Sequence, residues 1–188
     1  MLVMIIGIAG FAALSPVGPS IGGSTEYNGY EFNIGIRDGV QLYFTEVDGQ
    51  EIGFYNNPFT VERLNVSETF NQELRGAEEI TVTRPTDVPE EVELGLFQIL
   101  LRDFQNFASV TVANAYLEED PFDDTPVRTC EDATAQTPVI KLIYDTDDLA
   151  RETGIYQESE YCYETHAFGQ DIVILRDYLI MAQRGIIQ

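Results

Sequence analysis

From residue 30 onward the chain alternates. Tyr30, Phe32, Ile34 and Ile36 fall on one side, and Glu31, Asn33, Gly35 and Arg37 on the other. That is the period of two expected of a strand with one buried face. Asp38-Gly39 follows, and Val40, Leu42 and Phe44 then alternate with Gln41, Tyr43 and Thr45. Asp48-Gly49 precedes a further short run over 51–55. Asp-Gly between alternating runs is a strong hairpin signal, because a two-residue type I′ turn needs positive φ at both central positions. The pattern predicts a three-stranded antiparallel meander over residues 29–56, ended by Asn57-Pro58.

Beyond it the period changes. Residues 59–76 read as irregular with a short helix, and Ile80 to Thr83 as a strand stopped by Pro85. Asp87 followed by Glu90 resembles a capping box, with Pro89 tolerated in the first turn. The helix it opens places Val92, Leu96, Phe97, Leu100, Leu101, Phe104 and Phe107 on one stripe, suited to docking on a sheet. Residues 109–117 read as a strand and 118–124 as an acidic loop. Val139 to Tyr144, apolar on both faces except at Lys141, predicts a buried central strand. Residues 160–167 alternate again, and a last helix spans 171–184, with Asp171 at its positive end, Arg184 at its negative end and Gly185 as C-cap. The expected fold is α+β: an N-terminal meander, then a mixed sheet covered by two helices.

The first 14 residues, MLVMIIGIAGFAAL, are apolar or glycine, and no charge appears before Glu26. The run is short for a membrane span and nearer the apolar core of a signal or anchor, although it lacks a basic start. The alternative is a buried core element. Residues 15–25, rich in Ser, Pro and Gly, read as a linker, and 26–188 as a single domain with a meander subregion (26–58) and a sheet-plus-helices subregion (80–188).

Charge changes the picture further. The 188 residues carry 32 Asp and Glu against 10 Lys and Arg, a formal net charge of −22, and nine of the ten basic residues are Arg. Such a chain repels itself in dilute buffer and is screened at molar salt, the habit of halophilic proteins. It excludes binding to bare nucleic acid, which needs clustered cations, and disfavours attraction of the body to an anionic membrane. Aromatics remain plentiful, with 10 Tyr and 11 Phe, so the acidity is not that of a disordered tail.

Candidate chemistry is sparse. Cys130 and Cys162 are the only cysteines. In an exported chain a lone pair is most simply a disulfide. A zinc site built from them and His166 lacks a fourth ligand and any close Cys pair. A Cys162–His166 nucleophile pair on one strand is separated by about 13 Å along it. His166 is the only histidine, which excludes multi-histidine sites. Asp145, Asp147, Asp148 and Glu152 are the best carboxylate cluster for a calcium ion, although the twelve-residue EF-hand pattern is absent and a solvated acidic face is the favoured reading in so acidic a chain. Asn65-Val66-Ser67 is a glycosylation sequon. No catalytic set, other metal or organic cofactor is indicated.

The segments Glu26 to Phe32, Cys130 to Thr134, Thr137 to Ile140, Cys162 and Arg176-Asp177 together resemble a group of uncharacterised, membrane-anchored extracytoplasmic proteins of small-genome archaea. The resemblance implies an extracytoplasmic, membrane-anchored or secreted location and a shared fold, and brings no activity. The function expected is a non-enzymatic envelope module that contacts other envelope proteins or a neighbouring cell. The alternatives are an exported, carboxylate-dependent hydrolase, with or without calcium, or an accessory subunit of a membrane complex.

Overall fold

The computed structural model describes residues 20–88, 97–145, 152–168 and 171–188. The apolar segment 1–14, the first part of the proposed linker, and Pro89, Glu90, Val92, Leu96, Asp147 and Asp148 lie outside the described residues.

The meander has four strands: β1 (Ser20–Tyr27), β2 (Tyr30–Arg37), β3 (Val40–Val47) and β4 (Gln50–Phe54), paired in sequence order and antiparallel throughout. The additional strand comes from the stretch read as linker. Its hairpin is closed by Asn28-Gly29, which takes positive φ at both positions just as Asp38-Gly39 and Asp48-Gly49 do. All three turns are therefore of the twist-compatible I′ kind.

After β4 come α1 (Pro58–Val61), β5 (Asn65–Val66), α2 (Phe70–Gly76) and β6 (Glu79–Arg84). Then follow α3 (Gln98–Phe107), β7 (Thr111–Tyr116), β8 (Val139–Asp145), β9 (Gly154–Ser159), β10 (Cys162–Phe168) and α4 (Ile172–Gln183). The second sheet has six strands in the order β5-β9-β10-β8-β6-β7. Neighbours from β10 to β7 run parallel, and β9 is antiparallel to β10. Val139 to Tyr144 is thus central, flanked by β10 and β6, as its double-sided apolarity requires.

Helix α4 covers the six-stranded sheet as expected and is in addition buried on its other side. Its sequence IVILRDYLIMAQ is apolar nearly all round, and residues from Leu175 to Gln183 are buried. A helix without a polar face belongs inside. It sits between the sheets: Arg176 donates to the Gly53 carbonyl of β4 at 2.9 Å, while Tyr178 lies against Phe70 of α2 and shares one core cluster with Phe32, Ile52, Ile80, Ile140 and Tyr163.

The opposite face of the six-stranded sheet carries a strap, residues 126–138. Strand alternation turns Thr81, Thr83 and Ala115 away from the helices, yet all three are buried. The Thr83 hydroxyl donates to the Arg128 carbonyl at 3.2 Å, Val127 bridges to Tyr116, and Cys130 in a short 3-10 turn (Cys130–Asp132) is bonded to Cys162 of β10.

Candidate functional site

Where the strap ends, the outer face of β8, β9 and β10 is partly exposed, and alternation decides what it shows. Lys141 of β8 is in register with Glu164 of β10, which is in register with Tyr156 of β9. Cys162, Glu164 and His166 therefore share a face, with Lys141 beside them. The chain's single lysine, single histidine and single disulfide thus meet on one surface.

Lys141 Nζ lies 2.6 Å from Glu158 Oε2 and 2.8 Å from Glu164 Oε1. Glu164 Oε2 faces His166 Nε2 at 3.5 Å, and the Tyr156 ring meets the His166 ring edge-on at 5.7 Å. Burial alone would lower the Lys141 pKa, but hydrogen bonds to Glu158 and Glu164 outweigh it and raise the value. The bond from Lys141 lowers Glu164, against a smaller opposing effect of burial. Lys141 is consequently held as a cation and Glu164 as an anion, the reverse of what a neutral nucleophilic amine or a carboxyl acid catalyst needs at neutral pH.

Cys130 and Cys162 form a disulfide, with Cα atoms 5.3 Å apart. Sγ of Cys130 approaches Glu158 Oε2 to 3.0 Å. A half-cystine has no proton, so this is a close contact and not a hydrogen bond. Cys130, Glu158 and Cys162 bring their ligand atoms within 4.8 Å of one another. Tied together, however, the sulfurs offer no thiolate to zinc. The bond likewise removes Cys162 as a nucleophile for His166.

A second constellation lies at the carboxyl ends of the parallel strands, the edge where ligands bind in many parallel sheets. Arg84, last in β6, is in register with Tyr116, last in β7. Its guanidinium stacks 4.7 Å from the Tyr116 ring and donates to the phenol oxygen at 3.2 Å. The Tyr116 hydroxyl in turn donates to Asp123 at 3.2 Å. Asp123 also accepts from the side chain and backbone of Thr125, and those bonds hold its carboxyl below the ordinary range. Beside them Glu119, Asp120, Pro121, Asp123, Asp124, Thr125 and Val127 line an open concavity of about 460 Å³.

The proposed cation cluster is only partly described. Asp145 ends β8, and Glu152 is exposed, with its backbone carbonyl accepting from the Tyr156 hydroxyl at 2.9 Å. Asn65 is exposed on the short edge strand β5, and the Ser67 hydroxyl of its sequon accepts from Gln157 N–H at 2.8 Å.

Sequence reasoning missed a buried ionic junction. Arg176 Nη1 binds Asp177 Oδ1 at 2.7 Å, and its Nε donates to Asp103 Oδ2 at 3.1 Å. Asp177 Oδ2 accepts from the backbone and side-chain amides of Asn56 at 2.8 and 2.9 Å. Burial pushes the Asp177 carboxyl up, and Arg176 and Asn56 pull it back. The junction joins β4, α3 and α4, so its role is to hold the meander on the helical layer. The available signal was the presence of Arg176, Asp177 and Asp103 within otherwise apolar helical surface.

No family model, curated protein or solved structure matches the chain.

Proposed function

We propose that the chain is a non-enzymatic binding module of a cell envelope, extracytoplasmic and held at the membrane by its apolar N-terminal segment. The observation that carries this reading is the Cys130–Cys162 bond, which ties the strap to β10. Disulfides persist in oxidising compartments and are rare in reducing ones. The reading is further supported by the ionic pairing of Lys141 and Glu164, which leaves that face as a fixed charge array and not an acid–base pair. Its partners are other envelope proteins or a neighbouring cell surface, and its source is a salt-loving archaeon of the kind its sequence resembles. Affinity capture from native membranes at molar salt returns a reproducible partner if this is right. Repeated capture with no partner above background contradicts it.

A second reading, an exported carboxylate-dependent hydrolase, is favoured by one observation, the Arg84–Tyr116–Asp123 constellation at the carboxyl edge of the parallel strands. If calcium serves that site, saturating calcium raises the melting temperature over a matched magnesium control. An unchanged melting temperature removes the calcium-dependent version.

A further inference from the structure

The far end of the meander differs from the rest of the surface. Strand β1 starts at Ser20, in register with Gly35, one residue before Ile36. Arg37 and Val40 flank the Asp38-Gly39 turn as a pair, and Ile36 pairs with Gln41. Alternation therefore sends Ile36 and Val40 to opposite faces of the hairpin. Both are exposed, Ile36 at 38% and Val40 at 46%. Both ends of β4 are fastened to the core through Arg184 and Arg176, whereas the β2–β3 turn projects away from these attachments.

Charge sets this end apart as well. In a chain of net charge −22, residues 20–25 carry no charge and residues 33–43 carry only Arg37 and Asp38, a net of zero. In the sequence the apolar segment 1–14 precedes this end. Only residues 15–19 separate it from Ser20, a reach of at most about 20 Å.

We infer that the β2–β3 hairpin tip is a membrane-contacting foot, with Ile36 and Val40 seated at the lipid headgroup–acyl boundary. The inference rests on the membrane-held reading above and adds the orientation of the domain. An anchor joined by so short a connection confines the charge-poor end to the bilayer and turns the acidic body outward. Branched apolar side chains on both faces of the turn gain by leaving water at that depth. Asp38 at the apex keeps the contact shallow, while Arg37 folds back over the Phe44 ring and pairs with Glu51 of β4 at 2.7 Å, which removes its charge from the tip.

The chain has no tryptophan, so a single introduced one reports alone. The full-length chain bearing Val40→Trp, or in parallel Ile36→Trp, is reconstituted into phosphatidylcholine vesicles whose acyl chains are brominated near the headgroup. Phe122→Trp serves as the reference, since Phe122 stands 95% exposed on the acidic loop. The expected result is co-flotation of all three variants, with bromide-lipid quenching of the indole fluorescence in the Val40→Trp and Ile36→Trp chains at least about twofold above that in the Phe122→Trp chain. Co-flotation with equal quenching in all three variants overturns the foot while leaving the anchor standing. Failure to float overturns the anchor and the foot with it.

Discussion

Arg176 is the residue on which the two layers most depend. The residue is 3% exposed, and its guanidinium lies between two carboxylates, one of them fully buried. Replacing it leaves the fully buried Asp177 without its cation, while Asp103 keeps Arg102 at 3.1 Å, and breaking a buried pair from one side costs about 3–5 kcal/mol. Arg176→Met is therefore expected to lower the denaturant midpoint sharply, and a shift equivalent to a surface substitution would contradict the account. Lys141 gives a milder, pH-dependent effect. Glu164 is held below its ordinary 4.5, so its contribution is present above that value and lost as pH falls through the folded-state pKa. Lys141 is held above 10.5, so its contribution is present below that value and lost as pH rises through the folded-state pKa. The stability difference between wild type and Lys141→Gln is thus a plateau of up to about 1 kcal/mol that collapses in acid and in strong base. Thermal melts across pH measure it, and a pH-independent difference contradicts the pairing.

At the scale of elements, the strap is held on the sheet by the disulfide and by backbone bonds at Tyr116, Glu78, Glu79 and Thr81. The cysteines are 32 positions apart, and a loop of that length is worth roughly 3.5–4 kcal/mol in chain entropy. A Cys130→Ser/Cys162→Ser double variant is expected to lose most of that, read from denaturant unfolding, and a loss below about 1 kcal/mol would mean the strap is held by its hydrogen bonds alone. The strands were legible where period and turn chemistry agreed: β2 and β3, β8 from its double-sided apolarity, and β10 from alternating Tyr161, Tyr163 and Thr165. β1 was not, because Ser, Gly and Thr carry no hydrophobic alternation, although Asn28-Gly29 held the turn signal. β9 was missed since its later residues, Gln157 to Ser159, are exposed and polar. The burial of α4 was readable in its apolar circumference, yet which layers it would separate depends on tertiary packing. The disulfide followed from cysteine count. The meeting of Lys141, Glu158, Glu164 and His166 depends on the register of three strands, which local sequence does not contain.

The whole molecule carries a charge of −22 on a compact body. Self-repulsion at that density weakens the fold in dilute buffer, and screening within about 3 Å at molar salt relieves it. The melting temperature is expected to rise steadily from millimolar to molar potassium chloride, and a flat or falling profile would contradict a salt-adapted surface. The most direct test of the central claim, an extracytoplasmic domain held at a membrane, is the state of the two cysteines in native material. Membranes from the source cells are opened without reductant in an alkylating agent, and the intact mass of the chain is measured. The account predicts a membrane-fraction chain two hydrogens lighter than its reduced form, with no alkylation at Cys130 or Cys162. A chain in the soluble fraction carrying alkyl adducts at both cysteines would contradict it.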